Sequence, residues 1–215
     1  MQTACRPRSW SPGSGWGTHL YIVATALVAA APLLAQPPGR ELLNSERIAA
    51  EFGSYGVEVL EQDGQVRVSN LYSGTGDEKT CRTFAVVRFA LHMDEAVSAE
   101  HAAIVAGGSI GAVFVAAGWE VRKTHLRYSE TWAPPRLASL MRVAPRTPLA
   151  TDIYAFDVVK DGHVVEYATL VEIHHPDYLK NEDLPAIYGP AYEAPRSARS
   201  AAAFAAAEAA FEREP

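Results

Sequence analysis

Two stretches of this chain carry one pattern at a constant offset. Ile48, Phe52, Gly56, Glu58 and Val59 recur, with no gap, as Ile110, Phe114, Gly118, Glu120 and Val121. In the second stretch, Ser109 to Val121, an apolar helical run stops at Gly118 and turns directly into alternating strand. A helix-to-strand unit used twice is therefore the feature that organises the fold.

The remaining elements fall around this repeat. Asn44 or Ser45 is placed to cap a first helix that reaches about Phe52 and ends at the glycines that follow. Strands are expected at Tyr55–Val59, Val66–Asn70 and Cys81–Phe89, the first two joined by an Asp63-Gly64 turn. A helix from about Asp94 to Ala106 ends at Gly107-Gly108, and Ser109 is placed to cap the next one. After the fourth strand, Trp119–Leu126, come a short amphipathic turn at Leu137–Val143 and two strands, Thr151–Val159 and His163–Ile173. These last two are joined by Asp161-Gly162, the strongest hairpin signal in the chain. The pattern argues an α+β domain with a mostly antiparallel six-stranded sheet and its helices on one face. With 48% apolar residues, 215 residues are enough for one domain with a real core.

The two ends read differently from the middle. Arg6 and Arg8 precede a sixteen-residue apolar run, Leu20–Ala35, followed by Gln36-Pro37-Pro38-Gly39. The run is short for a membrane span, and a basic start with an apolar middle is the pattern of a secretory signal peptide. The expected organisation is a signal peptide at 1–35, a single domain at 36–180 and a Pro/Ala-rich tail at 181–215. Contact with the membrane would be through the export segment only, and the location periplasmic or secreted. Without residues 1–35 the chain keeps 17 basic against 25 acidic side chains. That balance argues against a nucleic-acid partner, since phosphate contacts need a basic face. Cys81 would then be alone, and its strand context favours a buried inert thiol. In the tail, Ser197–Glu214 is alanine-rich and offers only Phe204 and Phe211 as anchors, too few to require docking.

Chemistry-bearing residues gather on the last strand and at the second helix-to-strand unit. Alternation sets Val165, Tyr167, Thr169, Val171 and Ile173 on a core face, and Glu166, Glu172 and His174 on the other. Glu172 and His174 stand one pleat apart and are suited to acid–base coupling; a solvated polar face is the plain alternative. Gly107-Gly108-Ser109-Ile110-Gly111 is either an anion site at a helix start or a simple corner. Segment 122–146 holds Arg122, Lys123, Arg127, Arg136, Arg142 and Arg146 against Glu130 alone, enough to recruit a small anion. The candidate ligand-binding residues are Gly108, Ser109, Glu120, Arg122 and Arg127, and the candidate catalytic pair is Glu172 with His174. No metal-ligand spacing, cofactor fingerprint or nucleophile elbow occurs, so no metal and no cofactor is expected.

Ser109-Ile110, Phe114, Gly118 and Val121 resemble the opening helix and strand of the chorismate lyase and UTRA ligand-binding superfamily. Leu140–Val159, Asp161-Gly162 and the last strand resemble its central hairpin, so the resemblance spans Ser109–Leu179. It implies an antiparallel sheet that encloses a small carboxylate or sugar-type ligand. Val171-Glu172-Ile173-His174-His175-Pro176 resembles the family's late glutamate followed by proline. Where the lyases carry arginine and an acid, Phe156-Asp157 stands here, so the resemblance implies ligand binding without lyase chemistry. Three functions follow: a binding domain for a small anionic molecule or a partner, an enzyme on a small carboxylate, and an assembly factor that contacts an envelope protein.

Overall fold

The computed structural model describes residues 41–192 and 198–212. In chain order the elements are α1 (Asn44–Phe52), β1 (Gly56–Gln62), β2 (Val66–Ser73), β3 (Thr80–Phe89), α2 (Ser98–Val105) and α3 (Ile110–Ala116). They continue as β4 (Glu120–Trp132), α4 (Pro135–Met141), β5 (Pro148–Lys160), β6 (His163–His174), α5 (Leu184–Tyr188) and α6 (Ala198–Glu212). The six strands form one sheet in the order β1-β2-β3-β6-β5-β4, and every pairing is antiparallel. This is the α+β class and the antiparallel sheet that the sequence indicates. Each half of the chain supplies a helix and then three strands. The first strands after the repeated helices, β1 and β4, become the two edges.

The repeat holds at its apolar anchors but shifts at its glycines. Ile48 and Phe114 are both fully buried. Gly118 has φ 80°, the left-handed conformation that lets α3 stop. In the first unit that work is done by Gly53, φ 73°, at the end of α1. Gly56 instead lies under the ring of Tyr72, its partner across the β1–β2 ladder, where a Cβ would come 2.4 Å from Tyr72 Cζ. At the β5–β6 hairpin, Asp161 (φ 52°) and Gly162 (φ 80°) both take positive φ, as a two-residue primed turn requires.

Helices cover both faces of the sheet, not one. On one face α4 and α6 pack over Val86, Ile153, Val171 and Ile173. On the other, α2 and α3 pack over Val87, Phe89, Tyr154, Phe156 and Leu170, and α1 and α5 over Leu71, Ala85 and Ala150. The reason is the position of β3, β5 and β6 inside the sheet. Val86 and Val87 point to opposite faces and each is 1% exposed. Nor does the core face of β6 follow simple alternation. Phe156 pairs with Ala168 but Asp157 pairs with Glu166, so Tyr167 is bulged. Tyr167 thereby joins Ala168 and Leu170 on the α2–α3 side, where its ring meets Phe114 at 4.7 Å edge-to-face. Helix α6 docks as well, through Ala203, Ala207 and Ala210, all buried.

Candidate functional site

The face expected to be solvated is an interior. Arg67, Ser69, Asp152, Glu172 and His174 are each 4% exposed or less, which requires every one of them to find partners. Registration sets them in rows: Ser69, Ala85, Glu172 and Asp152 are neighbours across β2, β3, β6 and β5, and Arg67, Val87, Leu170 and Tyr154 form the next row. Arg67 and Glu172 thus rise from strands two spacings apart, roughly 10 Å. The small side chain of Ala85 leaves the floor between them low. The starts of α1 and α3 close over that floor.

The result is a cavity of about 60 Å³, with Arg67, Ser69, Glu172, Lys123, Tyr55 and Ser109 among its polar lining. That is room for about two waters or a small ion. Neither helix is capped by the side chain of its own cap residue, and at the start of α1 Glu46 Oε2 accepts from the Leu43 N–H at 2.8 Å. Asn44, expected as a cap, is the first helical residue of α1 and is spent inward: Nδ2 donates to Thr83 Oγ1 at 3.1 Å, and Oδ1 accepts from Tyr178 at 2.6 Å. Ser109 does stand at the cap position of α3, but its hydroxyl accepts from Tyr55 at 3.2 Å. The start of α1, a helix of nine residues, lines the cavity through Leu43, Asn44 and Ser45.

Arg67 is the dominant charge. Nε donates to Ser69 Oγ at 2.8 Å, and Nη1 to the carbonyls of Ile104 at 2.8 Å and Gly108 at 2.9 Å. All three acceptors are neutral, and among the described residues no carboxylate forms an ion pair with it. Burial accordingly draws its pKa below the usual arginine value. At the far side, burial raises the pKa of Glu172, which Lys123 partly opposes; Asn44 and Tyr154 hydrogen-bond its carboxyl. Burial likewise pushes Tyr55 up to about 12, so its phenol is a donor at neutral pH.

A second polar group adjoins the cavity. His125 Nδ1 lies 2.8 Å from Asp152 Oδ2, and the ring stacks on Tyr188 of α5 at 4.7 Å. Burial alone would lower its pKa, but Asp152 and Glu41 outweigh this and raise it to about 9. His174 goes the other way. Burial, with Lys123, Arg47 and His125 nearby, lowers its pKa to about 3, and its Nδ1 is bonded to Thr83 Oγ1 at 3.0 Å.

The sequence-derived candidates separate in space. Glu172 and Ser109 both line the cavity, and Gly108 offers its carbonyl to Arg67 behind it. His174 shares the face of Glu172 but is engaged with Thr83 and lies outside the lining. Arg122 and Glu120 pair with each other on the exposed edge of β4, Nε to Oε1 at 2.7 Å, and Arg127 is exposed on the same strand. None of these three lines the cavity. The cation there is Arg67, which reads in sequence as the polar partner in the alternation Val66-Arg67-Val68 and gives no local signal. Lys123, in the same basic stretch as Arg122 and Arg127, is the second. Among the described residues no three His, Cys, Asp or Glu side chains come together as a metal would need. Cys81 is buried beneath α4 and α6, and burial raises its pKa.

No family model and no curated protein matches the sequence. Solved structures do resemble it in fold. A GntR-family transcriptional regulator from Enterococcus faecalis is 9% identical, covering 59% of this chain and 93% of its own, with a TM-score of 0.37. The PhnF C-terminal domain is 14% identical over 63% of this chain and 77% of its own, TM-score 0.39. The possible transcriptional regulator YydK from Bacillus subtilis is 8% identical over 67% of each chain, TM-score 0.41. All three likenesses stand at 14% identity or less and at TM-scores below 0.5. The expected periplasmic or secreted location does not match these neighbours, two of which are named as transcriptional regulators. The segment 1–35 on which export rested lies outside the described residues.

Proposed function

We propose that this chain binds a small anionic molecule in the cavity between the sheet and the start of α1, with Arg67 as the anchor. The observation that carries this reading is a guanidinium 1% exposed, bonded only to a hydroxyl and two carbonyls, at the wall of a cavity. A buried charge without a counter-charge is costly, and an anion in the cavity supplies one. Ser109, Tyr55 and Glu172 surround the remaining space with hydrogen-bonding groups, and Glu172, held toward its neutral form, can face an anion without repelling it. Catalysis finds no such support, because His174 is neutral, bonded to Thr83 and outside the cavity lining.

The test is a thermal melt against formate, acetate, glycolate and inorganic phosphate, with chloride at matched ionic strength. A ligand at 100 times its Kd adds about 2.7 kcal/mol, and each kcal/mol raises the midpoint of a chain this size by about 2–4 °C. In Arg67→Met the two carbonyls lose their donor and the starting midpoint falls, but the decisive result is loss of the anion-dependent rise. A rise that persists in Arg67→Met, or no rise for any anion in the wild type, overturns the reading.

A further inference from the structure

Glu41 lies just before α1, and its carboxylate is received by a built slot. Lys123 Nζ stands 2.8 Å from Oε1, and His125 Nε2 stands 3.7 Å from Oε2. The side chains of Lys123 and His125 are 6% and 5% exposed, whereas Glu41 is 34% exposed. The slot thus belongs to the interior, and the carboxylate enters it from outside. Its walls are aromatic: Tyr188 stacks on His125 at 4.7 Å, Tyr128 and Tyr154 flank the same ring, and Lys123 sits over Tyr154 and Tyr188 at 5.3 and 5.6 Å. The charges do not balance without the visitor. Asp152 answers one of the two cations through His125 Nδ1, and Glu41 answers the other.

We propose that Lys123 and His125 form a second carboxylate-binding site, which Glu41 occupies as a tethered ligand and from which a free small carboxylate displaces it. Only Lys123 and the Tyr154 ring are common to this site and the Arg67 cavity, and neither Glu41 nor His125 lines that cavity, so the two proposals fail separately. Displacement also has a route to the cavity. Leu43, two residues on, lines the cavity and lies against Gly111, where a Cβ would come 2.7 Å from Leu43 Cδ2. Residues 41–43 therefore form a strap across one side of the cavity, latched at Glu41.

The experiment uses acetate as the probe and reads it at His125, by NMR of its ring protons, because that ring borders the slot. Titrations are run on the wild type, Glu41→Ala, Glu41→Gln and the double variant Glu41→Ala with Lys123→Met. A tethered carboxylate at millimolar effective concentration competes with a free one. Glu41→Ala is therefore expected to bind acetate at least about tenfold more tightly than the wild type, with saturable shifts of the His125 resonances. Glu41→Gln, which still fills the slot, and the double variant, which lacks the ammonium, are expected not to respond. His125 resonances indifferent to acetate in Glu41→Ala, or equally responsive in the wild type, overturn the proposal. An acetate response in Glu41→Ala that survives Lys123→Met also overturns it. A rise in wild-type melting midpoint that leaves His125 unmoved reports on Arg67 alone.

Discussion

His125 and His174 sit on one sheet face and are pushed in opposite directions, which makes them a pair of internal probes. The His125 pKa is raised to about 9 because Asp152 and Glu41 outweigh its burial. Its contribution to stability is thus fully present below about 6.5 and is lost as pH rises through 9. The His174 pKa is lowered to about 3 by burial among cations. Its contribution is present above about 6.5 and is lost as pH falls toward 3. Glu41, its pKa lowered to about 2 by His125 and Lys123 against burial, acts in the same sense as His174. Burial raises Glu172 and Asp152, which act in the same sense as His125. Melts across pH are therefore expected to show an alkaline limb above 6.5 from His125 and an acid limb below 6.5 from His174 and Glu41, the acid limb opposed by Glu172 and Asp152. Each group changes stability by no more than about 1.4 kcal/mol per pH unit. His125→Asn is expected to flatten the alkaline limb between 6.5 and 9 while leaving the acid limb. Ring-proton NMR checks the assignment directly: His174 is expected not to titrate between pH 8 and 5, and His125 to stay protonated through pH 8. A His174 that titrates near 6.5 would mean that water reaches it.

Turns and helix ends carry the next scale, where a single backbone approach decides the position of a charge. Gly108 closes the corner between α2 and α3, and its carbonyl holds Arg67 Nη1 at 2.9 Å. A Cβ there would stand 2.8 Å from the Ala103 carbonyl oxygen and 2.8 Å from Val113 Cγ2. Gly108→Ala is expected to cost about 1–3 kcal/mol by overpacking and to weaken anion binding through Arg67. Denaturant unfolding and the phosphate titration check the two effects, and a variant with unchanged stability would show that the corner has slack. At this scale much was readable in the chain. Asp161-Gly162, Gly118 and the β-branched run at Cys81–Phe89 each specify one local geometry. Glu172 and Ser109 were legible for the same reason, standing at fixed positions on a strand and before a helix. Arg67 was not, because an arginine between two valines reads as the solvent side of a hairpin. Only the arrival of α2, α3 and α1 over that face turns it into an interior group. Arg122 and Lys123 are adjacent in sequence, yet one faces solvent and the other the cavity, a choice set by the pleat of β4 alone.

Across the whole molecule the asymmetry lies between the two sheet faces. One carries the polar cavity beneath α1, α2, α3 and α5; the other is apolar and is covered by α4 and α6. Docking of α6 was hidden in the sequence because alanines bury little area each and show no period in a run composed mostly of alanine. The helix lies close because its contacts are small: Ala203, Ala207 and Ala210 are 1% exposed or less. Arg136 of α4 ties it further, donating to the Ala210 carbonyl at 3.0 Å while pairing with Glu61 of β1 at 2.6 Å. Without α6, apolar surface on Val86, Ile153, Val171 and Ile173 loses part of its cover. Unprotected apolar area costs about 25 cal/mol per Å² and favours self-association. A chain stopped after Tyr192 is therefore expected to melt at lower temperature, to bind an apolar dye and to aggregate with concentration. Its anion response is expected to remain, because no residue of α6 lines the cavity. Calorimetry with dye binding measures the first effect, and the phosphate titration below the melting range measures the second. An unchanged midpoint would show that α6 contributes no net stability. Loss of anion binding in a chain that is still folded would show instead that the two faces are coupled through β3 and β6, the strands they share.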